Sequence, residues 1–259
     1  MYETCSVLWS ELVDTHMPHP TEEDLRKIAN DFYRLWQFPH CIGALDGKHC
    51  EIKCPANSGS AYYNYKEYFS VVLQAVADAN KKFIVIEVGG RGKQSDGGTF
   101  QYSTLNTLME NGELVIPPTD IIPETILNVP VPYVFIADEA YPLKVNLMRP
   151  YPARNLNEQQ EYFNKRLSRA RKCVECAFGI LYAKWRILGK PIETNIEHAC
   201  LIIKTTCILH NVIRDLDGNV DHHYSEIMNR NALTSTDNVR INRRNNSTSL
   251  AARNVRNIF

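Results

Sequence analysis

The chain has 259 residues, 44% of them hydrophobic, and a formal net charge of zero. That length suits one large domain or two small ones. No run approaches the ~18 apolar residues of a membrane span. The first ten residues carry neither a basic n-region nor an apolar h-region, so no secretory signal and no membrane association are expected. The eight cysteines then read as reduced intracellular thiols, and the N-x-Ser/Thr patterns at Asn245 and Asn246 as chance matches.

A balanced charge argues, taken alone, against a nucleic-acid partner. Its distribution is uneven. Residues 1–37 hold seven acids against three bases, a net of −4, whereas residues 149–190 hold ten bases against three acids, a net of +7. The basic segment could neutralise phosphates, although on charge alone a solvated helix face is the better reading.

In chain order, residues 1–37 read as a helical arm. Val7, Leu8, Leu12 and Val13 recur at helical spacing, and Pro20–Asp24 looks like a capped start for a second helix bearing Leu25, Ile28, Phe32 and Leu35/Trp36. From Ile42 to Cys54 the pattern changes to that of a half-buried strand, with Cys50, Ile52 and Cys54 alternating with His49, Glu51 and Lys53. The apolar runs Phe69–Ala77 and Phe83–Val88, separated by the turn-rich Asp78–Lys82, read as hairpin partners. Together they predict an antiparallel meander. A loop over 89–98 leads to a helix near Ser103–Glu110, and Val131–Ala137 forms a fourth strand. Asn155-x-x-Glu158 resembles a capping box opening the longest helix, about 157–186, with a core stripe of Phe163, Leu167, Ala170, Val174, Ala177/Phe178 and Leu181. A last helix covers about 194–214. Residues 216–248 read as a loose polar tail, and Leu250–Phe259 as a short docking segment.

Three acids fall at the edges of apolar elements. Asp46 lies at the break of the first strand, Asp138 at the end of the fourth, and Glu175 beside the stripe of the long helix. An acid so placed is costly unless something positive satisfies it. A pair of Mg²⁺ or Mn²⁺ ions, ~3.5–4 Å apart, can hold several converging carboxylates, and hard oxygen donors without a His-rich pattern favour these ions over Zn²⁺. Each acid alone also has a bland explanation: a strand-end Asp caps turns, and Glu175 can pair with Arg171 or Lys172 on its own helix.

The surrounding strings are more specific. Phe38–His49 (FPHCIGALDGKH) resembles the first catalytic block of Harbinger-type (PIF/Harbinger) transposases of the DDE superfamily. Pro55–Lys66 (PANSGSAYYNYK), Tyr68–Ser70 and Gln94–Phe100 (QSDGGTF) are similar to that family's intervening blocks. Ile136–Leu143 (IADEAYPL) resembles the second catalytic block, Phe163–Gly179 (FNKRLSRARKCVECAFG) the third, and Leu209-His210-Asn211 the C-terminal signature. The resemblance runs in order from about Thr21 to Asn211. It implies an RNase H-like α/β fold: a mixed sheet, antiparallel meander plus further strands, flanked by helices, over 38–215. It further implies Asp46, Asp138 and Glu175 as the catalytic, metal-binding triad of a DNA endonuclease or transposase using two divalent ions. Asp138 and Glu175 are 37 positions apart, enough to leave a strand, cross a short element and reach a helix facing the site. Lys48, His49, Arg91 and Lys93 could contact phosphates, or equally be solvated loop residues. Arg169, Lys172, Lys184 and Arg186 on the long helix could add weak, salt-sensitive binding to DNA.

The acidic arm, short for a family with helix-turn-helix character at its N-terminus, is a poor reader of DNA sequence. Specificity, and entry into the nucleus, are therefore expected from a separate DNA-binding protein, Myb-like by the resemblance; an oligomer is left open. A rival expectation is a domesticated nuclear adaptor that keeps the fold without needing catalysis. Other chemistries fit less well. Cys50/Cys54 and Cys173/Cys176 lack the Gly- or Pro-bearing knuckle turns of a zinc site. Gly89–Gln94 lacks the spacing and the Ser/Thr of a Walker A loop, and no G-x-S-x-G elbow occurs.

Overall fold

The computed structural model describes residues 1–122, 128–218 and 248–259. Two helices lead: α1 (Tyr2–His16) and α2 (Glu22–Trp36). The meander follows as β1 (Cys41–Glu51), β2 (Ser70–Ala77) and β3 (Phe83–Arg91). Next come two short helices, α3 (Asp96–Gln101) and α4 (Thr104–Asn111), and a two-stranded ribbon of β4 (Asp120–Ile121) and β5 (Pro130–Val131). The chain then re-enters the sheet as β6 (Val134–Ile136) and β7 (Leu147–Met148). It finishes with the long helix α5 (Glu158–Lys184), a 3₁₀ turn at Arg186–Gly189, α6 (Ile196–Leu216) and α7 (Leu250–Ile258).

The five-stranded sheet has the order β3-β2-β1-β6-β7. β1 pairs antiparallel with β2, from Ala44 opposite Ala77 to Glu51 opposite Ser70, and β2 pairs antiparallel with β3. β6 joins β1 in parallel, and β7 joins β6 in parallel. The mixed α/β sheet with an antiparallel meander is thus the one the apolar runs predict. Strand periodicity divides its core in two. Val71, Leu73, Ala75, Ala77, Val134 and Ile136 meet Phe163, Leu167, Ala170, Val174, Ala177 and Leu181 of α5 and Ile203 of α6. Val76, Phe135, Ala137 and Leu147 meet Phe100, Leu105, Tyr141 and two residues of α2, Leu25 and Ala29.

Local chemistry explains the helix starts. Thr21 caps α2 through a reciprocal box with Asp24. α5 opens on Asn157 with Gln160, two residues later than the expected Asn155-x-x-Glu158 box. Asn155 instead takes a left-handed turn, φ 53°, which Asn tolerates better than most residues. The expected tail over 216–248 lies largely outside the described residues, apart from the end of α6. α7 packs on the body: Phe259 stacks on Phe38 at 5.6 Å, and Ala252 is fully buried.

α6 departs from the expectation that no segment could span a membrane. By length and composition it is apolar enough to do so. Its Thr205, Thr206, His210, Asn211 and Arg214 are nevertheless buried against the protein, as in a core helix. Asn211 is the pin. Its Nδ2 donates to the carbonyls of His16 at 2.8 Å and Phe83 at 2.7 Å, and its Oδ1 accepts from the Phe83 amide at 2.9 Å. His210 meets the Lys81 carbonyl at 2.8 Å. One side chain therefore ties α6 to both α1 and the start of β3. Asn211→Ala leaves buried backbone groups unpaired and is expected to cost about 2–4 kcal/mol, measured by urea unfolding; a loss below about 0.5 kcal/mol would show that water replaces these bonds.

Candidate active site

The parallel register of β1 and β6 creates the site. The last pair is Ala44 with Ile136. Two residues further along each strand, on the same sheet face, stand Asp46 and Asp138. Because β6 stops pairing there, the two carboxylates sit side by side where the sheet opens. A third arrives from the other face: Asp96, the first residue of α3. Carboxylate oxygens of Asp46, Asp96 and Asp138 all lie within 4.8 Å of one another.

Two glycines permit this approach. A Cβ at Gly47 would meet Asp96 Oδ1 at 2.2 Å, and a Cβ at Gly97 would meet the Ala140 carbonyl at 2.2 Å. Only bare backbone at both positions lets α3 press against β1 and against the loop after Asp138. Gln74, opposite Gly47 in the sheet, donates from Nε2 to the Asp96 carbonyl at 3.4 Å and the Tyr141 hydroxyl at 3.3 Å. Arg149 holds the carbonyls of Tyr141 at 2.9 Å and Glu139 at 3.4 Å. The loop carrying Asp138 is thereby fixed from both sides, and Asp138 itself accepts from the Ala140 amide at 2.9 Å.

The electrostatics follow from this crowding. Burial pushes the Asp46 carboxyl up to about 7; Arg171 opposes the shift, while Asp138 and Asp96 add to it. Burial likewise pushes Asp96 up to about 6, with Asp138 adding to the rise. Tyr141, buried among the three acids, is raised well above its ordinary value. Asp96 Oδ1 is a buried acceptor without a hydrogen-bond partner. Clustered oxygen donors, one of them unsatisfied, fit a hard divalent cation such as Mg²⁺ or Mn²⁺. Among the described residues this is the one group of His, Cys, Asp or Glu side chains close enough to hold a metal; none of the eight cysteines is in a disulfide.

The fate of each expected site residue differs. Asp46 and Asp138 come together. Glu175 is not among the clustered carboxylates; its side chain is 53% exposed and lies 3.9 Å from Arg171 Nη2. The same Nη2 is 3.7 Å from Asp46 Oδ1, and Arg171 is only 15% exposed. Glu175 therefore faces the site across a shared guanidinium. Lys48 projects on the α5 side, its Nζ 5.1 Å from the Tyr182 ring centroid. His49, on the opposite face, has its imidazole depressed to about 4 by burial, so at neutral pH it carries no charge for a phosphate. Arg91, at the end of β3, and Lys93, just beyond it, are exposed. Arg169 donates to the Gln37 side chain at 2.8 Å, whereas Lys172, Lys184 and Arg186 lie exposed along and just beyond α5. The residue that sequence reasoning missed is Asp96. Its signals were its place in the family-like block Gln94–Phe100 and Ser95, which caps α3 by accepting from the Gly98 amide at 3.2 Å.

Comparison with known proteins comes to the same region. The model of a family described as DDE superfamily endonuclease matches residues 45–211. Protein ALP1-like of Arabidopsis thaliana is 29% identical over 205 residues, covering 78% of this chain and 49% of that protein. A second protein of that plant, named antagonist of like heterochromatin protein 1, is 26% identical over 224 residues, covering 82% of this chain and 56% of that protein. HARBI1 of Mus musculus, whose name carries the word nuclease, is 24% identical over 203 residues, covering 77% of this chain and 53% of that protein. The chain spans about half the length of these curated relatives. No solved structure matches it.

Two outcomes test the geometry. Gly47→Ala is expected to displace Asp96 and weaken Mn²⁺ binding about tenfold or more, about 1.4 kcal/mol, in a titration of the folded variant; unchanged affinity would remove Asp96 from the ligand set. The second concerns pH. A carboxyl raised in the folded state favours folding at low pH, and that contribution is lost as pH rises through its folded value. Metal-free wild-type protein is therefore expected to lose stability relative to Asp46→Asn between about pH 4 and about pH 7, the gap closing when Mn²⁺ is added. Parallel melting curves across that range would contradict the assignment.

Proposed function

Because the chain belongs to the DDE superfamily endonuclease family, we propose that it is a divalent-metal-dependent DNA nuclease of the transposase type. One observation carries the reading: three carboxylates from three separate elements meet within 4.8 Å. An assembly of that kind is unfavourable without a cation and has no purpose in packing.

On this reading Asp46, Asp96 and Asp138 would hold Mg²⁺ or Mn²⁺, with Glu175 completing the set for a second ion. Bound there, the ions would activate a water for attack on the phosphodiester and stabilise the leaving 3′-oxygen. The chain's own residues prepare the ground. Arg171 sits between Asp46 and Glu175, where it orients both and presents a cation toward the charge that develops at phosphorus. Gln74, itself bonded to Tyr141, fixes the backbone of Asp96, and Arg149 fixes the loop of Asp138. Exposed cations at Lys48, Arg91, Lys93, Lys172, Lys184 and Arg186 suit a long polyanion, since phosphate contacts position DNA without reading its sequence. The acidic N-terminal helices disfavour groove insertion, and by the family resemblance sequence choice and action in the nucleus would come from a DNA-binding partner of the Myb-like kind.

A second reading rests on the plant relatives. One is named for antagonism toward a heterochromatin protein, which suits a nuclear adaptor that retains the fold. The two readings separate on plasmid nicking. With Mn²⁺ the purified chain is expected to nick supercoiled DNA, and Asp46→Asn, Asp138→Asn and Glu175→Gln are each expected to fall to background while melting no lower than wild type. Gln keeps the size of Glu but removes the charge that an ion needs. Absence of nicking by the wild-type chain across Mg²⁺ and Mn²⁺ would favour the adaptor; full activity of Glu175→Gln would remove that residue from the triad.

A further inference from the structure

Beside the carboxylates lies a small platform that the cleavage chemistry does not use. The loop between β1 and β2 ends in a tight turn at Asn64–Tyr68. Asn64 is buried, and its Oδ1 accepts from the amides of Lys66 at 2.9 Å and Tyr68 at 3.3 Å. Its amide donates to the Tyr68 carbonyl at 2.9 Å, its carbonyl accepts from the Glu67 amide at 3.1 Å, and Glu67 is held at φ 67°. A non-glycine residue in that conformation costs energy that the surrounding bonds must offset. Asn64 Nδ2 also donates to Ser70 Oγ at 2.9 Å, and Ser70 Oγ meets His49 Nδ1 at 2.8 Å. One network therefore fixes both the turn and the histidine.

What this rigid frame presents is exposed. Tyr65 is 61% accessible. Its ring meets His49 edge to face at 5.7 Å, and Lys66 Nζ lies 5.6 Å from its centroid. The charge of Lys66 also opposes, in part, the burial-driven rise of the Asp96 carboxyl, which places the platform within electrostatic reach of the candidate metal site. An exposed aromatic on a pre-ordered turn loses little entropy when it binds. A ring with a cation beside it is the pattern that stacks a nucleobase and holds its phosphate, and a base paired in a duplex cannot offer its face to such a ring.

We infer that Tyr65, His49 and Lys66 form a binding site for an unpaired nucleotide of the DNA strand being cut. Tyr65 stacks on the base, Lys66 pairs with the flanking phosphate, and the His49 ring forms a second wall. The inference rests on the nuclease reading and adds to it that the substrate is opened, or single-stranded, at the site.

The test compares binding of fluorescently labelled oligothymidylate and a duplex of equal length to the full chain. Low salt and Ca²⁺ are used, and gels confirm that the strands remain intact. Tyr65→Ala is expected to weaken single-strand binding about tenfold and duplex binding by less than about twofold, with Tyr65→Phe close to wild type. Equal losses on both substrates, no loss, or a loss in Tyr65→Phe matching that in Tyr65→Ala would each overturn the stacking role. A wild-type chain that nicks plasmid yet binds only duplex would overturn this inference and leave the nuclease reading standing. One that neither binds nor nicks would overturn both.

Discussion

Mutual repulsion among Asp46, Asp96 and Asp138 is the constraint around which the molecule is arranged. At separations under 4.8 Å, three ionised carboxylates in a partly dry site cannot all keep their charge. Burial, with that repulsion added to it, raises the carboxyls of Asp46 and Asp96, and protonation relieves that part of the cost. Arg171 relieves another part, but at 3.7 Å from Asp46 it is an ion pair without a close hydrogen bond, and its own Nε has no partner. The remainder must be borne by the fold. The rigidity of the surroundings is therefore a requirement, since a yielding scaffold would let the acids drift apart.

That rigidity is built in layers. Val134 and Ile136, with Ala44 alongside, plug the sheet into the α5 core, so the positions two residues further on cannot slide. Gly47 and Gly97 bring α3 to backbone contact, and Gln74 bonds to α3 and Tyr141 at once. Arg149 then braces the loop of Asp138 from behind. The brace is itself held by α7. Arg256 donates to the carbonyls of Arg149 at 3.4 Å and Pro150 at 3.2 Å, and its guanidinium lies 3.8 Å from the Tyr151 ring centroid. A helix near the end of the chain is thus two contacts away from a candidate metal ligand. The path is mechanical, through packed backbone carbonyls.

How much of this was legible follows from the periods involved. Strands β1, β2, β3 and β6 announce themselves by apolar runs, and Asp46 and Asp138 stand out because each interrupts such a run on the face that should be buried. The stripe of α5 was legible for the same reason. Asp96 was not, because it lies in Gln94–Phe100, where glycines and short polar residues read as a loop. Its helical start depends on Ser95 and on packing against Ala140, which is tertiary information. β7 and the β4–β5 ribbon, two residues per strand, are too short for any periodicity. Asn211 was visible as part of a motif, but its work of pinning α1 and β3 to α6 is decided by partners 195 and 128 positions away. Of the cysteines at 50/54 and 173/176, Cys50 and Cys173 are buried in β1 and α5, whereas Cys54 is exposed past the end of the strand and Cys176 is half-buried.

The same repulsion bears on how a polyanion could approach. Three acids facing one gap would repel a phosphate backbone, and the overall charge of zero leaves compensation to the local basic segment along α5. Arg171 is the nearest counter-charge, and it is already shared between Asp46 and Glu175. On the nuclease reading, divalent ions would invert the sign of the gap, so occupancy by metal and affinity for DNA become linked quantities: each raises the other by the same factor. Exposed cations along α5 then serve to hold distant phosphates, while discrimination against DNA in the absence of metal falls to the carboxylates themselves. On that reading, a site that repels a phosphate backbone until it is loaded would not bind DNA idly, a consequence of the crowding of Asp46, Asp96 and Asp138.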